Sequence, residues 1–341
     1  MQDIFEFKDC ITPIKAIPSI NVYGTDKLGE YKPLFTIAIP TYKRVTTLSE
    51  TIESSLNQKN FDDYNIIVVD NNPERNDETE VFMQKYKDHP KVTYYKNSEN
   101  VGMAGNWNKC ICLSISNNVI LLHDDDILSP YALYYMKKVL STKPYQWGLI
   151  KPSMIRFVNK KDITFNTVSN IRLTRLRSIN YFIGSPTGAP TGVLLNKKYY
   201  MDIGGADSEH FPSFDYILSY HLNLKYSTYI MDIPLVGYRV GINESLSANT
   251  MDLFYDHMIN SGMQIMSKNH VPMVIAHLLM RCKCPVILNA LNKYYNMPNY
   301  NYDFSRYGLK NEITWFSNRI MYIWDLILVL FAKLNSKNIS I

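Results

Sequence analysis

A glycine-rich phosphate loop is missing from this 341-residue chain: neither Gly-X-Gly-X-X-Gly nor a Walker sequence follows the first apolar strand. That argues against a dinucleotide-binding or P-loop protein. Dense lysine or arginine blocks are missing too, and a formal net charge of +5 is too mild to point to nucleic acid. The same charge is compatible with an anionic membrane surface or a diphosphate. No uninterrupted apolar run reaches the roughly 18 residues of a membrane span. Cysteine is sparse: Cys10, Cys110, Cys112, Cys282 and Cys284 are odd in number and lack a disulfide-framework spacing. Reduced thiols in a cytosolic setting are therefore expected. The two Cys-X-Cys pairs are tighter than zinc sites prefer. Residues Met1 to Cys10 are acidic and mixed, unlike a signal peptide.

What is present is a globular composition, 46% hydrophobic, that can build a sizeable core in one large or two ordinary domains. The chain is organised around Val119 to Pro130, where four apolar residues run into His123, Asp124, Asp125 and Asp126. An apolar run of that kind reads as a buried strand of a parallel sheet. Three aspartates cannot share its interior unpaired, so they belong at the strand's carboxyl end, where open α/β sheets bind ligands. Packed like charges raise one another's pKa unless a cation neutralises them, and a hard divalent ion bridging to a phosphate would do so. A solvated acidic loop is the plain alternative.

Around that stretch the pattern repeats. Leu34 to Ile39 reads as a strand, and Thr47 with Glu50 has the form of a capping box before a helix carrying Leu48, Ile52 and Leu56. Ile66 to Val69 and Val92 to Tyr95 are further strands, with helices expected over Glu78 to Tyr86 and Asn106 to Ser116. This order predicts an α/β fold with a doubly wound, mostly parallel sheet. Right-handed crossovers point its strand-end loops the same way, so Asp70 and the Asp124–Asp126 cluster should meet at one crevice. Asp70 also reads as an ordinary turn residue.

Beyond Pro130 the spacing predicts a helix to about Leu140 and a strand over Trp147 to Ile155, whereas Phe157 to Arg177 has no clear pattern. Gly184 to Gly192 is either a connector or a place where a ligand approaches the backbone. Gly204 and Gly205 stop a helix, and Asp215 opens another, where a carboxylate also suits the helix dipole. Ser227 to Ile233 reads as an edge strand stopped by Pro234. Helices are expected over Met251 to Met266, Val271 to Leu279 and Val286 to Tyr295, the last two separated by Pro285. In the final segment, Ile320 to Ala332 is apolar except for Asp325, and Lys310, Arg319, Lys333 and Lys337 flank it. Amphipathicity leaves both a packed core helix and a membrane-surface helix open.

Several short motifs in fixed order resemble glycosyltransferase family 2, the inverting enzymes of GT-A fold. They are Ile39 to Arg44, Val68 to Asn72, Asn100-Val101-Gly102 with Gly105 to Asn108, Leu122 to Leu128, Ile203 to Gly205, Phe214 to Tyr216, and Tyr238-Arg239 before Ser245 and Ser247. Residues 1–33, with little periodicity and punctuated by Pro13, Pro18 and Gly24, read as an irregular leader, and the resemblance implies a GT-A domain over 34–250, its nucleotide half about 34–130 and its acceptor half about 131–250. A helical C-terminal region, 251–341, would follow. It implies donor and nucleotide contacts from Pro40, Thr41, Tyr42, Arg44, Asp70, Asn72, Asn100, Gly102, Asn106 and Asp124, with Asp70 on the base. Asp125 would coordinate Mn²⁺ or Mg²⁺ with Asp126 beside it, and Asp215 would be the catalytic base. His123, Asp124 and Arg239 would face the acceptor or diphosphate.

The chain departs from the family where His123 replaces a frequent aspartate and where Phe214 precedes the base. It departs again where Gly241 and Ile242 stand in place of a metal-binding histidine. His123 is then either a neighbour of the metal or only a strand-end residue. The resemblance thus implies a metal-dependent transferase using a nucleotide-sugar, a UDP-sugar foremost, on a glycan or lipid-linked acceptor in bacterial surface polysaccharide or capsule synthesis. It would act in the cytoplasm, with the inner face of the membrane as a further partner and no nucleic acid. A degenerate transferase acting as an assembly partner and a sugar nucleotidyltransferase are the alternatives. Nothing in the sequence indicates an oligomeric state.

Overall fold

Strand periodicity sets the architecture. The computed structural model describes residues 3–24, 31–241, 248–295, 300–309 and 315–340. The leader contributes α1 (Ile11–Ala16) and β1 (Ser19–Tyr23). Then β2 (Phe35–Thr41), α2 (Val45–Leu56), β3 (Tyr64–Asp70), α3 (Glu78–Met83), β4 (Val92–Asn97), α4 (Gly102–Leu113) and β5 (Asn118–Leu121) alternate as their apolar spacing predicts. The second half runs through β6 (Ile127–Leu128), α5 (Ala132–Ser141), β7 (Trp147–Phe157), β8 (Asn170–Arg175), β9 (Val193–Asn196), α6 (Lys197–Asp202), α7 (Phe214–Lys225) and β10 (Ser227–Arg239). It closes with α8 (Ala248–Lys268), α9 (Met273–Tyr295), α10 (Trp315–Leu334) and β11 (Ser336–Ser340).

One sheet results, ordered β1-β4-β3-β2-β5-β9-β7-β10-β8-β11, with β6 paired to β10. β4, β3, β2 and β5 are mutually parallel, and β7 is parallel to β10, while β9 runs antiparallel between β5 and β7. Register places the ligand edge. Thr41 pairs with Asp70, whereas β5 ends at Leu121, level with Ala38. The acidic residues after β5 therefore lie beside the last residues of β2. Val119 to Leu122 are fully buried, and truncating any one of them to alanine removes about 2–5 kcal/mol of packing. Apolar clusters cover both sheet faces, and a third joins α7 to the C-terminal helices.

Several expectations are corrected. The leader is not irregular: β1 pairs antiparallel with β4, and its chain crosses Gly204, where a Cβ would meet the Lys8 carbonyl oxygen at 2.0 Å. The capping box does not form, because α2 begins at Val45 and the Glu50 carboxylate is taken by Arg239. β10 is interior, running 13 residues between β7 and β8, with a register shift at Pro234 that absorbs the missing amide donor. Pro285 lies inside α9 and does not end it. Within α9, Met273–Ala290 is long and apolar enough by length and composition to cross a membrane. Counting only uninterrupted apolar residues misses it, because Arg281 and Lys283 break the run.

Candidate active site

Four parallel strands deliver their carboxyl ends to one cavity of about 280 Å³. Pro40, Thr41, Tyr42 and Arg44 enter it from β2, and Asn100, Gly102 and Asn106 from the start of α4. His123 and Asp124 enter after β5. All nine were expected from the sequence to serve the donor, the acceptor or the diphosphate. Asn71, Met103 and Trp107 also line the cavity and were missed.

Asp70 and Asn72, also expected to serve the donor, stand behind the lining. Asp70 is fully buried, and its Oδ2 accepts from the Tyr94 hydroxyl and from Lys96 Nζ, each at 2.7 Å. Lys96 also donates to Asp77 at 2.9 Å, and the Asn72 amide donates to the same carboxylate at 2.6 Å. Burial pushes the Asp70 pKa up, and the Lys96 hydrogen bond opposes that shift. Successive side chains at a strand end point opposite ways, so Asn71, between the two, turns to the cavity. Its Oδ1 accepts from Asn97 Nδ2 at 3.1 Å and Val101 N at 3.0 Å, and its Nδ2 donates to Asn100 at 2.6 Å. Asn97 also donates to Asn106 at 3.0 Å. These interlocked amides fix the floor on which a flat polar ring would rest.

The aspartates are held from three sides. The Thr41 hydroxyl donates to Asp124 at 2.7 Å, and Arg44 lies 2.8 Å from Asp125 and 3.8 Å from Asp124. Asp126 is fully buried; its Oδ1 accepts the Arg239 amide at 2.8 Å, and its carbonyl accepts the Thr51 hydroxyl at 2.7 Å. The Arg239 guanidinium donates to the Asp125 carbonyl at 2.8 Å, pairs with Glu50 and stacks 4.5 Å over Phe157. Arg239, expected to face the acceptor or diphosphate, is here engaged in bracing the acidic loop. Burial pushes Asp124 up to about 7, with the Asp125 charge adding to it and Arg44 opposing it. Burial and Asp125 raise Asp126 as well.

Ligand atoms of His123, Asp125 and Asp126 lie within 4.8 Å of one another. Among the described residues, buried His123 Nε2 and Asp126 Oδ2 have no hydrogen-bond partner. Burial lowers His123 to about 4, so its imidazole is neutral at pH 7 with a lone pair to offer. With His123 Nδ1 3.8 Å from the unpartnered Asp126 Oδ2, this neutral imidazole and pair of carboxylates fit a divalent cation. The histidine expected after Tyr238-Arg239 is absent; Gly241 is there, and Ile242, Ser245 and Ser247 lie outside the described residues.

Asp215, far away in sequence, does not line the cavity, and neither do Asp125, Asp126 and Arg239; the link of Asp215 to the site runs through Phe214, Trp107 and Lys151. It opens α7, where its own Oδ1 accepts the Tyr216 amide at 2.8 Å. Phe214 packs edge-on to Trp107, with ring centres 4.8 Å apart, and Trp107 lies 5.5 Å from the His123 ring. Burial pushes Asp215 up to about 6. Lys151, 3% exposed on β7, donates to the Thr191 carbonyl at 2.6 Å and feels the charges of both Asp126 and Asp215. Burial brings Lys151 down to about 7. Thr191 ties the two together, since its hydroxyl also accepts the His123 amide at 3.3 Å. The Gly184–Gly192 loop is thus part of the site. Gly192 has φ +63°, and a Cβ there would meet Val236 Cγ2 at 2.1 Å. Lys151 was legible only as a lone charge in an apolar strand.

Proton competition at this cluster gives a measurable sign. Asp124 and Asp126 hold protons in the metal-free fold at a pH where the unfolded chain has lost them, so their contribution to stability falls as pH rises from about 4 through 7. A cation must displace those protons. Mn²⁺ is expected to raise the melting temperature more at pH 8 than at pH 6, and Asp125→Asn to remove most of the increment.

A buried acidic and histidine cluster beside an amide-floored cavity, at the carboxyl edge of a mostly parallel sheet, defines the class: an α/β protein with a polar ligand site at its strand ends. A model of the family described as Glycosyl transferase family 2 matches residues 36–204. That segment, just under half of the chain, is a glycosyltransferase family 2 domain. An uncharacterized glycosyltransferase of Methanocaldococcus jannaschii is 31% identical over 103 residues, 30% of this chain and 35% of that protein. The match therefore spans about a third of the relative's length. S. aureus TarS 1-349 in complex with UDP-GlcNAc superposes with a TM-score of 0.51 at 15% identity, covering 73% of each chain. The mannosyltransferase PcManGT from Pyrobaculum calidifontis in complex with GDP-Man and Mn²⁺ gives 0.51 at 14% identity, covering 82% of this chain and 77% of that one. These likenesses establish the GT-A-like fold.

Proposed function

We propose that the protein is an inverting glycosyltransferase that moves a sugar from a nucleotide-diphosphate donor, a UDP-sugar foremost, to a hydroxyl of a glycan or lipid-linked acceptor in bacterial surface polysaccharide synthesis. The observation that carries this reading is that two carboxylate sets act on one buried lysine: Asp126, which stands with Asp125 beside His123, and Asp215, which is also tied to His123 through the Phe214 and Trp107 rings. Its roles divide cleanly. The asparagine floor and Thr41 seat the nucleotide. His123, Asp125 and Asp126 would hold Mn²⁺ or Mg²⁺, whose Lewis acidity offsets charge on a departing diphosphate. An imidazole in the set favours Mn²⁺ over the oxygen-seeking Mg²⁺. Asp215 takes the proton of the acceptor hydroxyl as its oxygen bonds to the anomeric carbon and the bond to the diphosphate breaks. A single displacement inverts that carbon. Donor complexes of TarS with UDP-GlcNAc and of PcManGT with GDP-Man and Mn²⁺ support the donor class.

The test is turnover of sugar nucleotides with Mn²⁺, read as released nucleoside diphosphate. Wild type should turn over at least one donor, and Asp125→Ala should lose about 10²-fold or more, the scale of a lost electrostatic contact to developing charge. Failure with every donor, together with retained binding to polysaccharide-assembly enzymes, would favour a degenerate assembly partner.

A further inference from the structure

We propose that α10 lies flat on an anionic lipid bilayer, with its outward face buried among the headgroups. The helix buries only a narrow stripe. Met321 and Trp324 pack inward, Trp324 stacking 6.0 Å from Phe182. Ile320 and Leu328 pack partly on the same core, and the outward face carries large apolar side chains: Trp315 is 72% exposed, Tyr322 60%, Leu330 59% and Leu334 82%, with Leu326 and Val329 between them. These residues recur at the three- and four-residue spacing of one helix face. So large an apolar face on a monomer marks an interaction site. Arg319 and Lys333 stand on that same face near its two ends, where long cationic side chains can bury their stems and reach the headgroup phosphates. Asp325, the one carboxylate of the helix, follows Met321 by four residues and so stands at the edge beside the buried stripe.

Topology decides between lying on the membrane and crossing it. β11 follows α10 directly and pairs with β8 from Ser336↔Thr174 to Ser340↔Asn170. The Asn335 carbonyl accepts the Arg175 amide at 3.0 Å. One end of α10 is thus fixed in the main sheet and its middle is fixed on Phe182, so the helix cannot run through a bilayer away from the body. Charge decides between a membrane and a second copy. Arg319 and Lys333 are each seven residues from Leu326, so an antiparallel self-pairing centred there would set the Arg319 of one copy against the Lys333 of the other. A parallel pairing would set each cation against itself. Like charges facing across an apolar contact disfavour both arrangements, whereas anionic headgroups satisfy them.

Phe182 begins the stretch that leads through the Gly184–Gly192 loop to Thr191 at the active site. A bilayer seated on α10 would present a lipid-linked acceptor on the Asp215 side. That link rests on the transferase reading above, but the binding surface does not. The full chain should co-sediment with vesicles of phosphatidylglycerol and phosphatidylcholine about tenfold or more better than with phosphatidylcholine alone, and high salt should erase the difference. A Leu326→Asp/Leu330→Asp variant should lose about tenfold or more of the binding, with its melting temperature and its Mn²⁺ increment unchanged. Arg319→Gln/Lys333→Gln should lose the preference for anionic vesicles. Absence of pelleting with either vesicle overturns the proposal. So does a wild-type dimer by sedimentation that Leu326→Asp/Leu330→Asp turns into a monomer, since the occupant is then a second copy. Vesicle binding is read without donor, so failed sugar transfer leaves this outcome separate.

Discussion

Asp215→Asn is expected to lower kcat by about 10²–10⁴-fold, the usual contribution of a positioned general base, while the thermal shift given by UDP and Mn²⁺ stays at the wild-type value. The expectation follows from position. Asp215 contributes nothing to the asparagine floor or the acidic loop; it opens α7 and meets the rim only through Phe214, Trp107 and the field of Lys151. An amide of the same shape keeps the packing and the hydrogen bond from Tyr216, but it cannot take a proton. The pH dependence carries a second check. With Asp215 pushed up to about 6 by burial, activity should rise with pH as the carboxyl ionises, and the limb should flatten above about 7. A cation bound near Asp126 would draw that limb toward lower pH, because opposite charge favours the carboxylate. Near-wild-type turnover in Asp215→Asn, or a profile without an acid limb, would assign the base elsewhere.

The parallel half of the fold was legible because it is made of local signals. Apolar runs of strand length, each ending at a turn or a polar residue, gave β2, β3, β4 and β5 and hence the rim where Thr41, Arg44, His123 and Asp124 meet. The second half was legible only in part: Trp147 to Ile155 and Ser227 to Ile233 read as strands and are β7 and the start of β10, but β8 and β11 were missed because they are defined by their partners. β8 carries alternating burial within a polar segment, and β10 contains Pro234, which sequence reading takes as a stop but which the sheet accommodates at a register shift. Side-chain direction was the other limit. Asp70 ends a buried strand beside Asn71, and spacing alone does not say which of the two turns to the cavity. The answer came from Lys96, whose ammonium needs a buried anion and holds Asp70 inward. Nor does the sequence show that Arg239 is partnered by Glu50 and the Asp125 carbonyl.

Lys96 gives the largest stability effect expected of a single substitution in this site. Its side chain is 1% exposed, and it sits 2.7 Å from Asp70 and 2.9 Å from Asp77. Lys96→Met would fit the space but leave the Asp70 carboxylate buried without its cation, a loss of about 3–5 kcal/mol when one partner of a buried pair is removed. The sign with pH follows from the raised Asp70 pKa. Removing Lys96 removes the interaction that holds it down, so the variant's Asp70 keeps its proton to higher pH than either the wild type or the unfolded chain. Stability that depends on that proton is present at low pH and is lost as pH rises through the folded-state pKa. Urea denaturation should therefore show a wider gap between Lys96→Met and wild type at pH 8 than at pH 5. Adding Asp70→Asn should recover part of the loss at pH 8, because no charge is then stranded beside Tyr94. Equal stability of Lys96→Met and wild type at pH 8 would mean that Lys96 is not paired in the folded protein. Asn71 would then lose the wall that aims it at the cavity, and with it the physical reason for placing the nucleotide against the asparagine floor.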